Sequence, residues 1–113
     1  MKLDKEMGSI LGPELKIDGD VTVTGSLLIY GTVNGNIRSQ ASVRTAKGSI
    51  VKGDIIGKNA EIHGLVEGDL AIDGKILLGD ESVVNGNLKS GTLVIQEGAK
   101  FAGSCDMASN NSK

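Results

Sequence analysis

Apolar and polar residues alternate along this chain in short bursts, and glycine interrupts each burst before a helical period can develop. In "IHGLVEGDL", residues 62–70, Ile62, Val66 and Leu70 share one parity, and His63, Leu65, Glu67 and Asp69 the other. Period-two alternation is the mark of strands with one buried face, so the first set should point inward and the second outward. Gly64 and Gly68 have the inward parity, which predicts corners or a narrow interior with no room for a Cβ. Nearly the same phrase, "IYGTVNGNI", begins 33 residues earlier at Ile29. Laid over 62–94 without a gap, residues 29–61 match Ile29 to Ile62, Val33 to Val66, Gly35 to Gly68 and Val51 to Val84.

Inside this repeat lies a smaller unit, V-x-G-[DN]-[IL]. It reads "IDGDV" at 17, "VNGNI" at 33, "VKGDI" at 51, "VEGDL" at 66, "VNGNL" at 84 and, degraded, "FAGSC" at 101, at intervals of 16, 18, 15, 18 and 17 residues. Between the units stand β-rich pieces such as "VTVTG", "KILL" and "TLVI", bounded by turn residues. An interval near 17 is too short for a strand–helix–strand unit, which takes about 30 residues. Three short strands, each followed by a sharp bend, make one turn of a coil, and turns stacked about 4.8 Å apart pair each strand in parallel with its counterpart. The expected fold is all-β, a three-sided parallel β-helix of about six turns, with Val33, Val51, Ile62, Val66 and Val84 in its core column.

Composition narrows the functional classes. At 113 residues the chain has room for one domain. Its 17 glycines are spaced at intervals, which argues for a structural period and against disorder. A net charge of -2 with interspersed signs, and Tyr30 and Phe101 as the only aromatics, leave neither an electrostatic footprint nor stacking platforms for nucleic acid. Cys105 is the only cysteine, so an intrachain disulfide is impossible and a buried thiol is expected. "MKLDKEMGSI" is too charged for a signal peptide and no apolar run reaches membrane-spanning length, so the expected location is cytoplasmic.

The ordered set "SILGPELKIDGDVTVTGSLLIYGTVNGNI", "IHGLVEGDL", "VVNGNL" and "LVIQEGAKFAGSCDM" resembles the bactofilins, bacterial cytoskeletal proteins, over roughly residues 9–107. The resemblance implies a right-handed β-helix that polymerises without nucleotide into non-polar filaments, often membrane-associated. These serve as scaffolds for peptidoglycan enzymes, cell shape or motility. On this division, residues 1–8 form a short N-terminal tail, 9–107 the β-helix domain and 108–113 a polar C-terminal tail. Many relatives carry longer tails and an apolar membrane-targeting sequence. Here Met1, Leu3 and Met7 are the candidates for contact with the inner face of the membrane, opposed by Asp4 and Glu6; a plain frayed terminus is the alternative.

Polymerisation is also argued by the residues themselves. A solenoid leaves unpaired backbone groups and an open apolar column at each end, and neither "MKLDKEMG" nor "ASNNSK" is long or apolar enough to cap them. Phe101 takes the inward position of the last nearly complete turn, where it either meets another subunit or plugs its own core. The candidate interface is therefore Phe101 and Cys105 at one end and Ile10, Leu11 and Leu15 at the other.

The competing chemistries are thin. "IGKNAEI" and "LGDESVV" have the texture of hexapeptide-repeat acyltransferases, but those coils keep a strict six-residue period and use a histidine base. His63 falls on an outward face with Glu61 and Glu67 as same-face neighbours, as a solvated histidine would. Asp20, Asn36, Asp54, Asp69 and Asn87 should stack as a column; without the GGxGxDxUx calcium repeat, turn chemistry explains them. Neither GxxxxGK[ST] nor GxGxxG occurs. No catalytic, cofactor or metal residue is expected. Two functions remain: a self-assembling scaffold for a cell-envelope client, or a non-filamentous partner-binding domain like the C-terminal part of the division inhibitor MinC. An acyltransferase, predicting trimers and CoA-ester binding, is a third.

Overall fold

The structure is a computed structural model and describes residues 2–3 and 9–107. Every regular element in it is a short strand, and the strands fall in rotation onto three faces. The first face holds β1 (Lys2–Leu3), β4 (Val21–Val23), β7 (Ile37–Ser39), β10 (Ile55–Gly57), β13 (Leu70–Ile72), β16 (Leu88–Ser90) and β19 (Cys105–Met107). The second holds β2 (Ser9–Leu11), β5 (Leu27–Ile29), β8 (Ser42–Thr45), β11 (Asn59–Ile62), β14 (Lys75–Leu78) and β17 (Thr92–Ile95). The third holds β3 (Lys16–Asp18), β6 (Thr32–Asn34), β9 (Ile50–Lys52), β12 (Leu65–Glu67), β15 (Val83–Asn85) and β18 (Lys100–Ala102).

Each strand pairs in parallel with the strand one coil away, so the chain is a three-sided β-solenoid. On the third face the register runs Ile17, Val33, Val51, Val66, Val84, Phe101, in steps of 16, 18, 15, 18 and 17 residues. The first face repeats those steps through Val21, Ile37, Ile55, Leu70, Leu88 and Cys105. The irregular intervals of the sequence are thus the actual coil lengths, and the 33-residue repeat is two coils, one of 18 residues and one of 15. Two faces are six strands deep, so about five coil-to-coil steps separate their ends, slightly fewer than the about six turns read from the phrases.

Burial follows parity. Val33, Val51, Val66 and Val84 are fully buried on the third face; Ile62, also fully buried, belongs to the second face, between Thr45 and Leu78. Each such side chain contributes roughly 1.5–3 kcal/mol relative to exposure. The buried hydroxyls stay bonded: Ser49 Oγ donates to the Ala46 carbonyl at 2.6 Å and Ser82 Oγ to the Gly79 carbonyl at 2.8 Å. Cys105 departs from its expectation as a buried thiol and is exposed. It takes the inward register position above buried Leu88, but β19 is the last strand of its face among the described residues, so no described strand covers it.

The glycine of each repeated phrase makes the bend between the third face and the first. Gly68 has φ 155°, and a Cβ there would collide with the Gly53 carbonyl one coil below. Gly19, with φ 135°, lies over open space. Gly19→Ala should therefore lose only the backbone preference, about 1–2 kcal/mol, whereas Gly68→Ala adds a collision and should cost clearly more. Thermal melts of the two variants check this; equal losses would mean that coil-to-coil contact does not enforce the glycine.

Candidate assembly surfaces

At the C-terminal end of the coil the inward column runs out. Phe101 stacks over Val84 and is half-buried against the core. Ile95 stacks over buried Leu78, yet its own side chain is 49% exposed. Cys105 stands exposed above Leu88. Among the described residues strands β17, β18 and β19 are the edges of their faces, and an edge strand presents backbone N–H and C=O groups to any neighbour. The structure thus brings Phe101 and Cys105 to one end and adds Ile95. The sequence signal for Ile95 was the alignment of "TLVI" with "KILL" one coil earlier.

At the opposite end the candidates separate. Leu15 is exposed, but Leu11 is 3% exposed and belongs to the core cluster. Ile10, 68% exposed, sits beside Leu28 on the outer surface of the second face instead of over the end of the core. Ile17, absent from the candidate set, is half-buried over Val33. Met1 and Met7, and the side chain of Leu3, lie outside the described residues.

Outside the core the phrase residues form a ladder. Asp20 Oδ1 accepts from the Asn36 N–H at 2.9 Å, Asn36 Oδ1 from Asp54 at 2.9 Å, Asp54 Oδ1 from Asp69 at 3.0 Å and Asp69 Oδ1 from Asn87 at 3.0 Å. Asn87 Oδ1 completes it with the Ser104 hydroxyl at 2.8 Å. One oxygen of each side chain is engaged by the next coil, so the column acts as a seam along the corner. Asp54→Ala should weaken the fold by about 1 kcal/mol, seen as a lower melting midpoint; an unchanged midpoint would make the seam decorative. Among the described residues no group of three His, Cys, Asp or Glu side chains is placed to hold a metal ion.

His63 is half-buried, and its Nε2 lies 3.0 Å from Glu61 Oε1. The reason it is not fully solvated is Gly79, where a Cβ would occupy the space of the imidazole ring. Glu67 is on β12 of the third face and so is not a same-face neighbour. The Glu61 carboxylate also meets Arg44, Nε to Oε1 at 3.3 Å, so the histidine belongs to a surface charge cluster.

The family pattern for bactofilins, polymer-forming cytoskeletal proteins, matches residues 9–106. The chain belongs to the bactofilin family. It is 33% identical over 99 residues to bactofilin BacO of Myxococcus xanthus, covering 88% of this chain and 79% of BacO. To bactofilin BacP of the same organism it is 27% identical over 99 residues, covering 88% of this chain and 41% of BacP. No solved structure matches the chain with comparable significance. As a bactofilin the chain is a polymer-forming cytoskeletal protein that associates with itself. Among the described residues no helix is long and apolar enough to cross a membrane.

Proposed function

We propose that the chain is a scaffold subunit that stacks end to end into non-polar filaments without nucleotide, and that these filaments position cell-envelope, cell-shape or motility machinery at the inner face of the membrane. The observation that carries this reading is the C-terminal end of the coil. There Ile95, Phe101 and Cys105 continue three inward columns whose last fully buried members are Leu78, Val84 and Leu88. A second copy supplying the next coil would cover the apolar surface and pair the edge strands in one step. Self-association of the family supports the polymer, and the absence of a phosphate-binding glycine motif from the sequence supports its independence of nucleotide.

The purified chain should form elongated particles without ATP, GTP or added metal. Sedimentation over a concentration series, followed by negative-stain microscopy, tests this. Monomers or trimers at every concentration, with nothing elongated, would favour a non-filamentous binding domain.

A further inference from the structure

The outward register row of the second face reads Ile10, Leu28, Arg44, Glu61, Leu77, Val94 from one end to the other. Reversed, it keeps its character: two apolar residues, a charged pair in the middle, two apolar residues. Ile10 and Val94 are 68% and 36% exposed, and Arg44 and Glu61 hold each other at 3.3 Å with side chains 59% and 34% exposed. From this row we infer that the second face is a lateral docking surface for a second copy of the chain, laid against it with the coil axes antiparallel.

The geometry follows from a two-fold axis in the interface, parallel to the strands and between β8 and β11. It sets Arg44 against Glu61 of the second copy, Leu28 against Leu77, and Ile10 against Val94. Each charge then gains a second opposite partner, and every exposed apolar residue of the row meets another apolar residue. The adjoining row, Tyr30, Ala46, His63, Gly79, runs in the same register. Under the same axis Tyr30, 43% exposed, faces Gly79, which has no side chain, and Ala46 faces His63. A depression of about 180 Å³, lined by Arg44, Glu61, Lys75 and Leu77, lies where Leu28 of the second copy arrives.

The other two faces respond differently to the same operation. On the third face, reversal sets Ile50 against Leu65 and Lys52 against Glu67 in the middle, but Lys16 against Lys100 at the two ends. On the first face the axis between β10 and β13 sets Arg38 against Lys89, whereas an axis along β10, the middle of its seven strands, sets Arg38 against Ala71 and Thr22 against Lys89. The second face is set apart by the exposure of the apolar ends of its row, Ile10 at 68% and Val94 at 36%, with no like charges meeting under its axis. This contact is lateral and does not depend on how the ends meet.

Cysteine cross-linking of the full chain tests it. Leu28→Cys and Leu77→Cys, each in a Cys105→Ser background, are mixed and treated with a short bis-maleimide. The mixture should give a covalent dimer at least ten-fold more abundant than either variant alone. Adding Arg44→Glu to both chains should abolish it. Adding Arg44→Glu to one and Glu61→Arg to the other should restore it, because the acidic row then faces a basic one, a rescue between chains that loss of the internal ion pair cannot produce. Leu28→Cys linking to itself as readily as to Leu77→Cys would overturn the antiparallel arrangement, and no link in any sample would overturn the docking surface itself.

Discussion

Val66→Asp unfolds the coil, while Glu67→Ala leaves its melting midpoint nearly unchanged. The two residues are neighbours on β12, but Val66 is fully buried in register between Val51 and Val84, and Glu67 is exposed between Lys52 and Asn85. An aspartate at 66 has no polar partner in the apolar column. Burying its carboxyl costs several kcal/mol whether it stays ionised or takes up a proton, against a total stability of about 5–15 kcal/mol. Removing the exposed carboxylate should change stability by no more than about 0.5 kcal/mol. Circular dichroism melts of both variants check the pair. Equal tolerance of the two would mean that parity does not assign the faces.

Phe101→Arg abolishes end-to-end assembly while the monomer keeps its fold. Phe101 is half-buried over Val84 on the terminal strand β18, so an arginine there can extend its head past the last coil into water. Where like ends meet, that charge faces its own copy across a two-fold axis, adding repulsion to the lost apolar contact. The opposite end still pairs, so the variant should run as a stacked pair. Size-exclusion chromatography with light scattering, together with circular dichroism, separates the outcomes. An unfolded variant would make Phe101 a plug for its own core, and a folded variant that still forms long polymers would remove it from the interface.

Much of this architecture was legible because the third-face strand and the bend after it carry the repeated phrase. From Gly35 onward the glycine of that phrase has nowhere to put a Cβ, and the following Asp or Asn bonds the next coil, so both residue types recur at coil length. The second face carries no such phrase: "SIL", "LLI", "SVRT", "NAEI", "KILL" and "TLVI" share only an inward parity. Its register is fixed by the other two faces through closure of the coil, which a linear reading does not supply. Sequence position therefore does not separate Ile10, which lies on a side of the coil, from Ile95, which lies at its end. Leu11 and Leu15 are close in sequence but differ in burial, because Leu11 ends β2 on the inward parity and Leu15 precedes β3 in the bend. Cys105 has inward parity yet is exposed, because burial depends on the coil above, and among the described residues its face ends there.

The open ends of the coil are proposed to make the polymer. A cryo-electron microscopy reconstruction of filaments grown without nucleotide tests it directly. End-to-end stacking predicts strands perpendicular to the filament axis, coils continuing at about 4.8 Å across each junction, and Phe101, Ile95 and Cys105 packed against the like end of the next subunit. Subunits joined through their sides, with Phe101 and Ile95 facing solvent along the filament, would contradict it.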